Sequence, residues 1–175
     1  HKAGEKPVIY LSNTMESFIS DFAAHEGLKA GQDVTIGFSD VLARYLARTL
    51  RFTVKDADDK KTHIDIPVNK LPTSLQRMYR DALDAINAGS YEGLPVSPID
   101  AMRDRLTKAG LKVAEVTGRH MTIDYSHDTP QLATRSKSEM GSAGKRSSIA
   151  AFNRGALDAL IINRSGSTGV SMHAS

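Results

Sequence analysis

The most restrictive feature of the sequence is a short apolar run that ends in polar residues and occurs three times along the chain. The runs cover residues 8–11, 111–116 and 159–162. Each is short and rich in β-formers, which is typical of a buried strand. Helical patterns separate the runs, and the repeated order of strand, polar loop and helix predicts an α/β protein with a mostly parallel sheet. Ligands of such sheets bind outside the carboxyl ends of the strands.

Apolar residues at three- and four-residue spacing predict five helices around these strands. The predicted helices cover residues 15–25, 39–50, 73–89, 97–109 and 146–153. Gly27 and Gly155 follow two of them as stop signals. Ser97, Pro98 and Asp100 are interpreted as an N-cap, a first-position proline and a capping-box acid.

Two stretches depart from this order. Residues 30–95 are interpreted as an inserted α+β subdomain, in which an alternating stretch from 51 to 68 predicts a hairpin with an exposed charged turn. Residues 120–144 are polar with few apolar side chains, which predicts a long loop. We therefore expect one domain over residues 1–175, with the insertion inside it.

Composition restricts the class of protein. The 175 residues include no Cys, which excludes a disulfide framework, a thiolate nucleophile and a Cys-ligated metal site. No window approaches the ~18 apolar residues of a membrane span, and no signal peptide is recognisable, so we expect a cytoplasmic protein with no membrane partner. The net charge of +3 favours anionic partners but is too small to decide for nucleic acid.

Candidate ligand contacts follow each predicted strand. They are Asn13 and Thr14 after the first strand, Thr117, Gly118 and Arg119 after the second, and Ser165, Gly166, Ser167, Thr168 and Gly169 after the third. The last group either cradles a phosphate with its backbone N–H groups or forms a plain strand-to-helix turn. Thr14 either only caps the following helix or also binds an anion. Arg119 either forks onto a phosphate or is a surface arginine.

Three catalytic patterns are absent from the sequence. A Walker A loop fails at Gly144 and Lys145, because Glu139 stands where a glycine is needed and Arg146 where Ser or Thr is needed. The six histidines show no HxH or HExxH spacing, so we expect no metal site. No GxSxG elbow supports a hydrolase triad.

The order of motifs nevertheless resembles a known family, the second RecA-like lobe of superfamily 2 helicases and translocases. The resemblance is strongest to the Strawberry notch type C-terminal helicase domain and the related phage and plasmid helicase–methylase proteins. The matching segments are VIYLSNTMESF at 8–18, LPVSPIDAMRDRL at 94–106, VTGR at 116–119, KRSSIAAFNRG at 145–155 and DALIINRSGSTGVSMHAS at 158–175. Residues 30–93 match nothing in this family.

The resemblance implies a RecA-like three-layer sandwich that forms half of a motor. ATP and Mg²⁺ bind between two lobes, and the missing N-terminal lobe carries the Walker A loop and the magnesium-binding acids. Asn13 and Thr14 (motif IV), residues 117–119 and residues 165–168 (motif V) contact the backbone of DNA or RNA, while Gly169 approaches the nucleotide. The chain stops before motif VI with its arginine finger, so it holds no catalytic residue and is expected to be inactive alone.

Two other functions remain as alternatives. The first is a non-catalytic RecA-like scaffold or protein-interaction module of a large phage or plasmid protein. The second is a nucleotide-binding α/β transferase, which needs a glycine-rich loop after its first strand. Residues 12–15 provide no glycine there, and this alternative ranks last.

Overall fold

A computed structural model describes residues 6–12, 14–55 and 57–163. The described strands are β1 (Val8–Leu11), β2 (Arg51–Lys55), β3 (Lys61–Asp65), β4 (Val113–Val116), β5 (Met121–Asp124), β6 (Gln131–Thr134) and β7 (Ala159–Asn163). The described α-helices are α1 (Glu16–Glu26), α2 (Phe38–Arg48), α3 (Thr73–Ala88), α4 (Pro98–Lys108), α5 (Lys137–Met140) and α6 (Ser142–Asn153). Among them, no helix is both long and apolar enough to cross a membrane.

The chain divides into two compact units. The described residues within 1–35 and 97–175 form the first unit, and those within 36–96 form the second. The second unit has nearly the same bounds as the insertion expected at 30–95.

A parallel three-stranded sheet organises the first unit. The strand order is β1, β7, β4, so the last described strand lies between the other two. Leu11 pairs with Asn163 at one end of β7, and Val116 pairs with Ile162 on its other side. The prediction of an α/β protein with parallel strands is confirmed.

The core of this unit forms where α6 packs on the sheet. Phe152 and Ile149 of α6 contact Val116, Leu160 and Ile162, and all five are buried. Full burial of a side chain of this size contributes about 1.5–3 kcal/mol, so this cluster holds α6 on the sheet. Because side chains alternate along a strand, the neighbours of these residues in β4 and β7 point to the opposite face.

Helix α1 begins and ends in left-handed backbone. Met15, at its N-cap, has a φ of 59°, and Gly27, at its C-cap, has a φ of 65°. The Gly27 N–H donates to the carbonyl of Ala23, which is the glycine C-cap that the sequence predicts. Phe18 and Phe22, at the predicted helical spacing, are buried.

The prediction of a long loop over residues 120–144 is wrong. Strands β5 and β6 form an antiparallel hairpin in which Met121 pairs with Thr134. Each strand has four residues, and the fully buried apolar ones are Ile123 and Leu132, so their periodicity is too weak to identify them. A capping box starts α5: the Glu139 N–H donates to Ser136 Oγ at 3.2 Å, and the Ser136 N–H donates to the Glu139 carboxylate at 3.1 Å.

The described residues of the second unit form the other hairpin, two α-helices and a 3₁₀-helix at Val68–Lys70. Strands β2 and β3 pair antiparallel from Arg51 with Asp65 to Lys55 with Lys61, which confirms the predicted hairpin. Helix α2 packs against α3, and the rings of Phe38 and Tyr91 lie 6.0 Å apart.

Candidate nucleic-acid interface

The three parallel strands end at one edge of the sheet, which we call the carboxyl edge. Leu11 and Asn163 are paired at this edge, and Val116 pairs with the residue before Asn163. The segments that follow β1 and β4 therefore start close together, although about one hundred residues separate them in sequence. Of the candidate contacts, Thr14 and residues 117–119 belong to the described part of the chain, while Asn13 and residues 165–169 lie outside it.

After β4, buried and exposed residues alternate. Thr117 and Arg119 are buried, whereas Gly118 and His120 are exposed. The Thr117 hydroxyl donates to the Glu115 carboxylate. Gly118 and His120 are therefore the residues of this turn that a large ligand can reach.

The expectation that Arg119 binds a phosphate does not agree with the structure, because its guanidinium is buried among carboxylates. Arg119 Nη1 and Nη2 donate to the two oxygens of Asp100 at 2.8 and 2.5 Å. Nε and Nη2 also donate to the two oxygens of Glu115, both at 2.7 Å. With its side chain fully buried and both forks in use, Arg119 is neither a phosphate ligand nor a surface arginine.

Burial and hydrogen bonding shift the pKa values of Arg119 and Glu115 in opposite directions. Burial alone lowers the pKa of Arg119, but the hydrogen bonds to Glu115 and Asp100 outweigh it and raise that pKa above its ordinary value. Burial alone raises the pKa of Glu115, but the hydrogen bonds from Arg119 and Thr117 lower it below its ordinary value. Both groups are therefore charged at neutral pH.

A second arginine, which the sequence analysis missed, completes this buried network. Arg135 follows β6, and its Nη1 donates to Glu115 Oε1 and to the Thr117 hydroxyl, both at 3.0 Å. Its Nη2 donates to the Glu115 carbonyl at 3.0 Å, while its buried Nε has no hydrogen-bond partner. Burial lowers the pKa of Arg135 and the charge of Glu115 opposes that shift. The β5–β6 hairpin is thereby fastened to the carboxyl end of β4.

Ser97 and Asp100, which the sequence pattern predicts to form a capping box at the start of α4, belong instead to the same buried network. The Ser97 hydroxyl donates to Asp100 Oδ2 at 2.6 Å, and no side chain caps the helix backbone. Asp100 Oδ2 also accepts the Ile123 N–H at 2.8 Å. Asp100 is therefore used to hold Arg119 and the hairpin, and the sequence pattern could not distinguish this role from a helix cap.

One more contact joins the start of α1, which follows β1, to the turn after β4. Glu16, in the first turn of α1, accepts a hydrogen bond from the main-chain N–H of His120. The His120 carbonyl accepts a hydrogen bond from the Arg135 N–H at 2.8 Å. The turn after β4 is thus fixed to α1 on one side and to the hairpin on the other.

A cleft of about 330 Å³ lies between α4 and the β5–β6 hairpin, and Asp100 is one of the residues that line it. Asp104 and Asp124 line it, but Asp104 pairs with Lys108 at 2.8 Å and Asp124 with His127 at 3.5 Å. Hydrogen bonds from Ser126 lower the pKa of Asp124. Within the described residues, no group of three or more His, Asp or Glu side chains is arranged to hold a metal ion.

Comparison of the chain with models of protein families, with curated proteins and with solved structures finds no match.

Proposed function

We propose that this chain is the C-terminal RecA-like lobe of an ATP-dependent superfamily 2 helicase or translocase, of the Strawberry notch type, and that it binds the backbone of DNA. The carboxyl edge is the observation that carries the proposal. Strands β1, β7 and β4 are parallel neighbours, and a segment that resembles a nucleic-acid-binding motif follows each of them. Ligands of open parallel sheets bind at this edge.

The arrangement around α6 also supports the proposal. In the family that the sequence resembles, a helix with an Arg near its start and a Phe near its end leads through a glycine into the strand before motif V. Here Phe152 of α6 is buried against the sheet, Gly155 turns the chain with a φ of 77°, and β7 follows. A RecA-like sandwich, with helices on both faces of the sheet, is the architecture that we infer from this order.

The polar groups at the carboxyl edge are suited to binding a nucleic acid through its backbone, independently of its base sequence. The Thr14 hydroxyl and the main chain at Gly118 offer uncharged polar groups, whereas Arg119 is occupied by Asp100 and Glu115. Contacts of this kind position a sugar–phosphate backbone and carry no base sequence. The lobe therefore holds the strand, and its opening and closing against the first lobe moves the strand.

In this proposal the nucleotide belongs mainly to the other lobe. ATP hydrolysis, with Mg²⁺, supplies the free energy when both lobes are present. The Walker A loop and the magnesium-binding acids are assigned to the first lobe, and Gly169 is the residue of this chain assigned to the nucleotide side.

The test is binding of single-stranded and duplex DNA at several salt concentrations, for the wild type and for Ser167→Ala with Thr168→Ala. A matched control is Thr73→Ala with Ser74→Ala, an adjacent pair of exposed hydroxyls in the second unit that do not cap α3. We expect micromolar or weaker binding at physiological salt, with a slope of log K on log salt of about −0.7 for each phosphate contacted on a single strand. The first double variant loses that binding and the second retains it.

Other results lead elsewhere. Equal binding by both double variants places the contact outside residues 167 and 168. An absence of binding at every salt concentration, for protein shown to be folded, favours the non-catalytic scaffold. Addition of the first lobe then decides about the motor, because the proposal requires DNA-stimulated ATP hydrolysis by the two lobes together.

A further inference from the structure

The carboxyl edge contains an anion that belongs to the protein itself. The carboxylate of Glu16 accepts the main-chain N–H of His120, 104 residues further along the chain. Among the described residues, Glu16 has no basic side chain as a partner. A carboxylate that is held by a backbone amide, and by no cation, is bound through the same group that holds phosphate oxygens in many proteins.

The surroundings of this amide are built and accessible. The His120 carbonyl is fixed by the Arg135 N–H at 2.8 Å, and the residue before it, Arg119, is fixed by four hydrogen bonds to Asp100 and Glu115. His120 itself and Gly118 are exposed. The amide is therefore held in one orientation at a surface that a phosphate group can reach.

We propose that the main-chain amide of His120 is a phosphate-binding position on the carboxyl edge, and that the Glu16 carboxylate occupies it when no ligand is bound. This inference rests on the proposed function for the nature of its ligand, which is a phosphate group of a nucleic-acid backbone. Binding requires the Glu16 side chain to move away, because two anions cannot share one N–H group. The negative charge of Glu16 thus keeps the affinity of the edge low.

The inference predicts a gain of binding from the loss of a carboxylate, whereas a purely structural role for Glu16 predicts no gain. In Glu16→Gln the side-chain carbonyl can still accept the His120 N–H, so the link between α1 and the turn is preserved without its charge. We expect the variant to bind a single-stranded oligonucleotide about fivefold more tightly than the wild type, which corresponds to one charge contact at about 4 Å in water.

Glu26→Gln is the matched control, since it removes the same charge from the other end of α1. Ten residues of helix separate the two positions, or about 15 Å at 1.5 Å per residue. That separation exceeds the Debye length of about 8 Å at physiological ionic strength, so Glu26→Gln changes the affinity by less than about twofold.

A second measurement addresses the amide directly. Inorganic phosphate is titrated into ¹⁵N-labelled protein, and the NMR signal of the His120 amide is followed in the wild type and in both variants. We expect phosphate to shift this signal at lower concentration in Glu16→Gln than in the wild type or in Glu26→Gln. The signals of other amides report whether each variant is folded.

The outcomes separate this inference from the proposed function. If phosphate shifts the His120 amide in Glu16→Gln while no oligonucleotide binds, the phosphate position is supported and the nucleic-acid function is refuted. If oligonucleotides bind the wild type and both variants equally, the function stands and the role of Glu16 is refuted. Weaker binding by Glu16→Gln, or a His120 amide that phosphate leaves unmoved in that variant, also overturns the inference.

Discussion

The buried Arg119 network makes a strong prediction about stability, which Arg119→Met tests. The substitution keeps most of the side-chain volume but removes four hydrogen bonds to Asp100 and Glu115. At about 1.5–3 kcal/mol for each bond to a charged group, their sum is about 6–12 kcal/mol. Much of that is offset in the wild type by the cost of burying the charges, and removal of one partner from a buried ion pair typically costs about 3–5 kcal/mol. We expect a loss in that smaller range.

The loss depends on pH with a definite sign. In the wild type the pKa of Glu115 lies below its ordinary value of 4.5, so the stability from this group is fully present above that value and is lost as the pH falls further. In Arg119→Met, burial raises the pKa of Glu115 against fewer hydrogen bonds, and the carboxyl binds a proton at higher pH. The difference between wild type and variant is therefore smaller at about pH 5 than at about pH 7.5.

Urea denaturation followed by circular dichroism measures both effects. With an m-value of about 2 kcal/mol/M, the expected loss lowers the midpoint at neutral pH by about 2 M. Arg105→Met is the control: Arg105 is an exposed arginine on α4, and its replacement changes stability by less than about 0.5 kcal/mol. A loss below about 1 kcal/mol for Arg119→Met, or a deficit that grows as the pH falls, refutes the assignment of a buried ion network.

Three further substitutions test the elements around this network, each by urea denaturation. Arg135→Met removes the hydrogen bonds to Glu115 and Thr117, but it also removes a buried Nε that has no partner and is therefore unfavourable. We expect the free energy of unfolding to fall by about 1–3 kcal/mol, which is less than for Arg119→Met. An equal or larger fall contradicts this order. Leu132→Ala is expected to lower the free energy of unfolding by about 2–5 kcal/mol because Leu132 is buried in β6. The same truncation in an exposed loop would change it very little, so a negligible loss contradicts the buried hairpin. Gly144→Ala is expected to destabilise by about 1–3 kcal/mol, since the new Cβ clashes with the Ser138 carbonyl oxygen. In an open helix position the same change stabilises by about 0.5–1 kcal/mol, so a gain refutes the close approach of α5 and α6.

The sequence predicts the larger elements of the fold because their apolar side chains are buried at regular spacing. Phe18 and Phe22 identify α1, and the run at 159–162 identifies β7, because tertiary burial and local pattern agree there. The β5–β6 hairpin escapes prediction for the opposite reason. Its strands are short, and polar contacts such as the one from Asp100 Oδ2 to the Ile123 N–H contribute to holding it.

The candidate site could be predicted only in part. The position of Thr14 and of residues 117–119 at strand ends follows from the α/β order. The burial of the Arg119 side chain could not be predicted, because its partners Asp100 and Glu115 belong to different elements. Charged residues are rarely buried, and the sequence around Arg119 does not mark it as an exception. Likewise, Glu16 reads as a favourable acid in the first turn of a helix, and its contact with His120 depends on the packing of distant segments.

The position of β7 in the sheet has a consequence for the order in which the protein is made. Strands β1 and β4 are synthesised first but are not neighbours, and among the described strands β7 is the one that pairs with each of them. The ends of β1 and β7 enclose about 150 residues, so their pairing requires the closure of a very long loop. Folds that depend on such non-local pairing form slowly, and their strand edges are exposed to aggregation in the meantime. During synthesis, the parallel sheet therefore cannot form before residues 159–163 have been made. A chain released before that point lacks the central strand with which β1 and β4 pair.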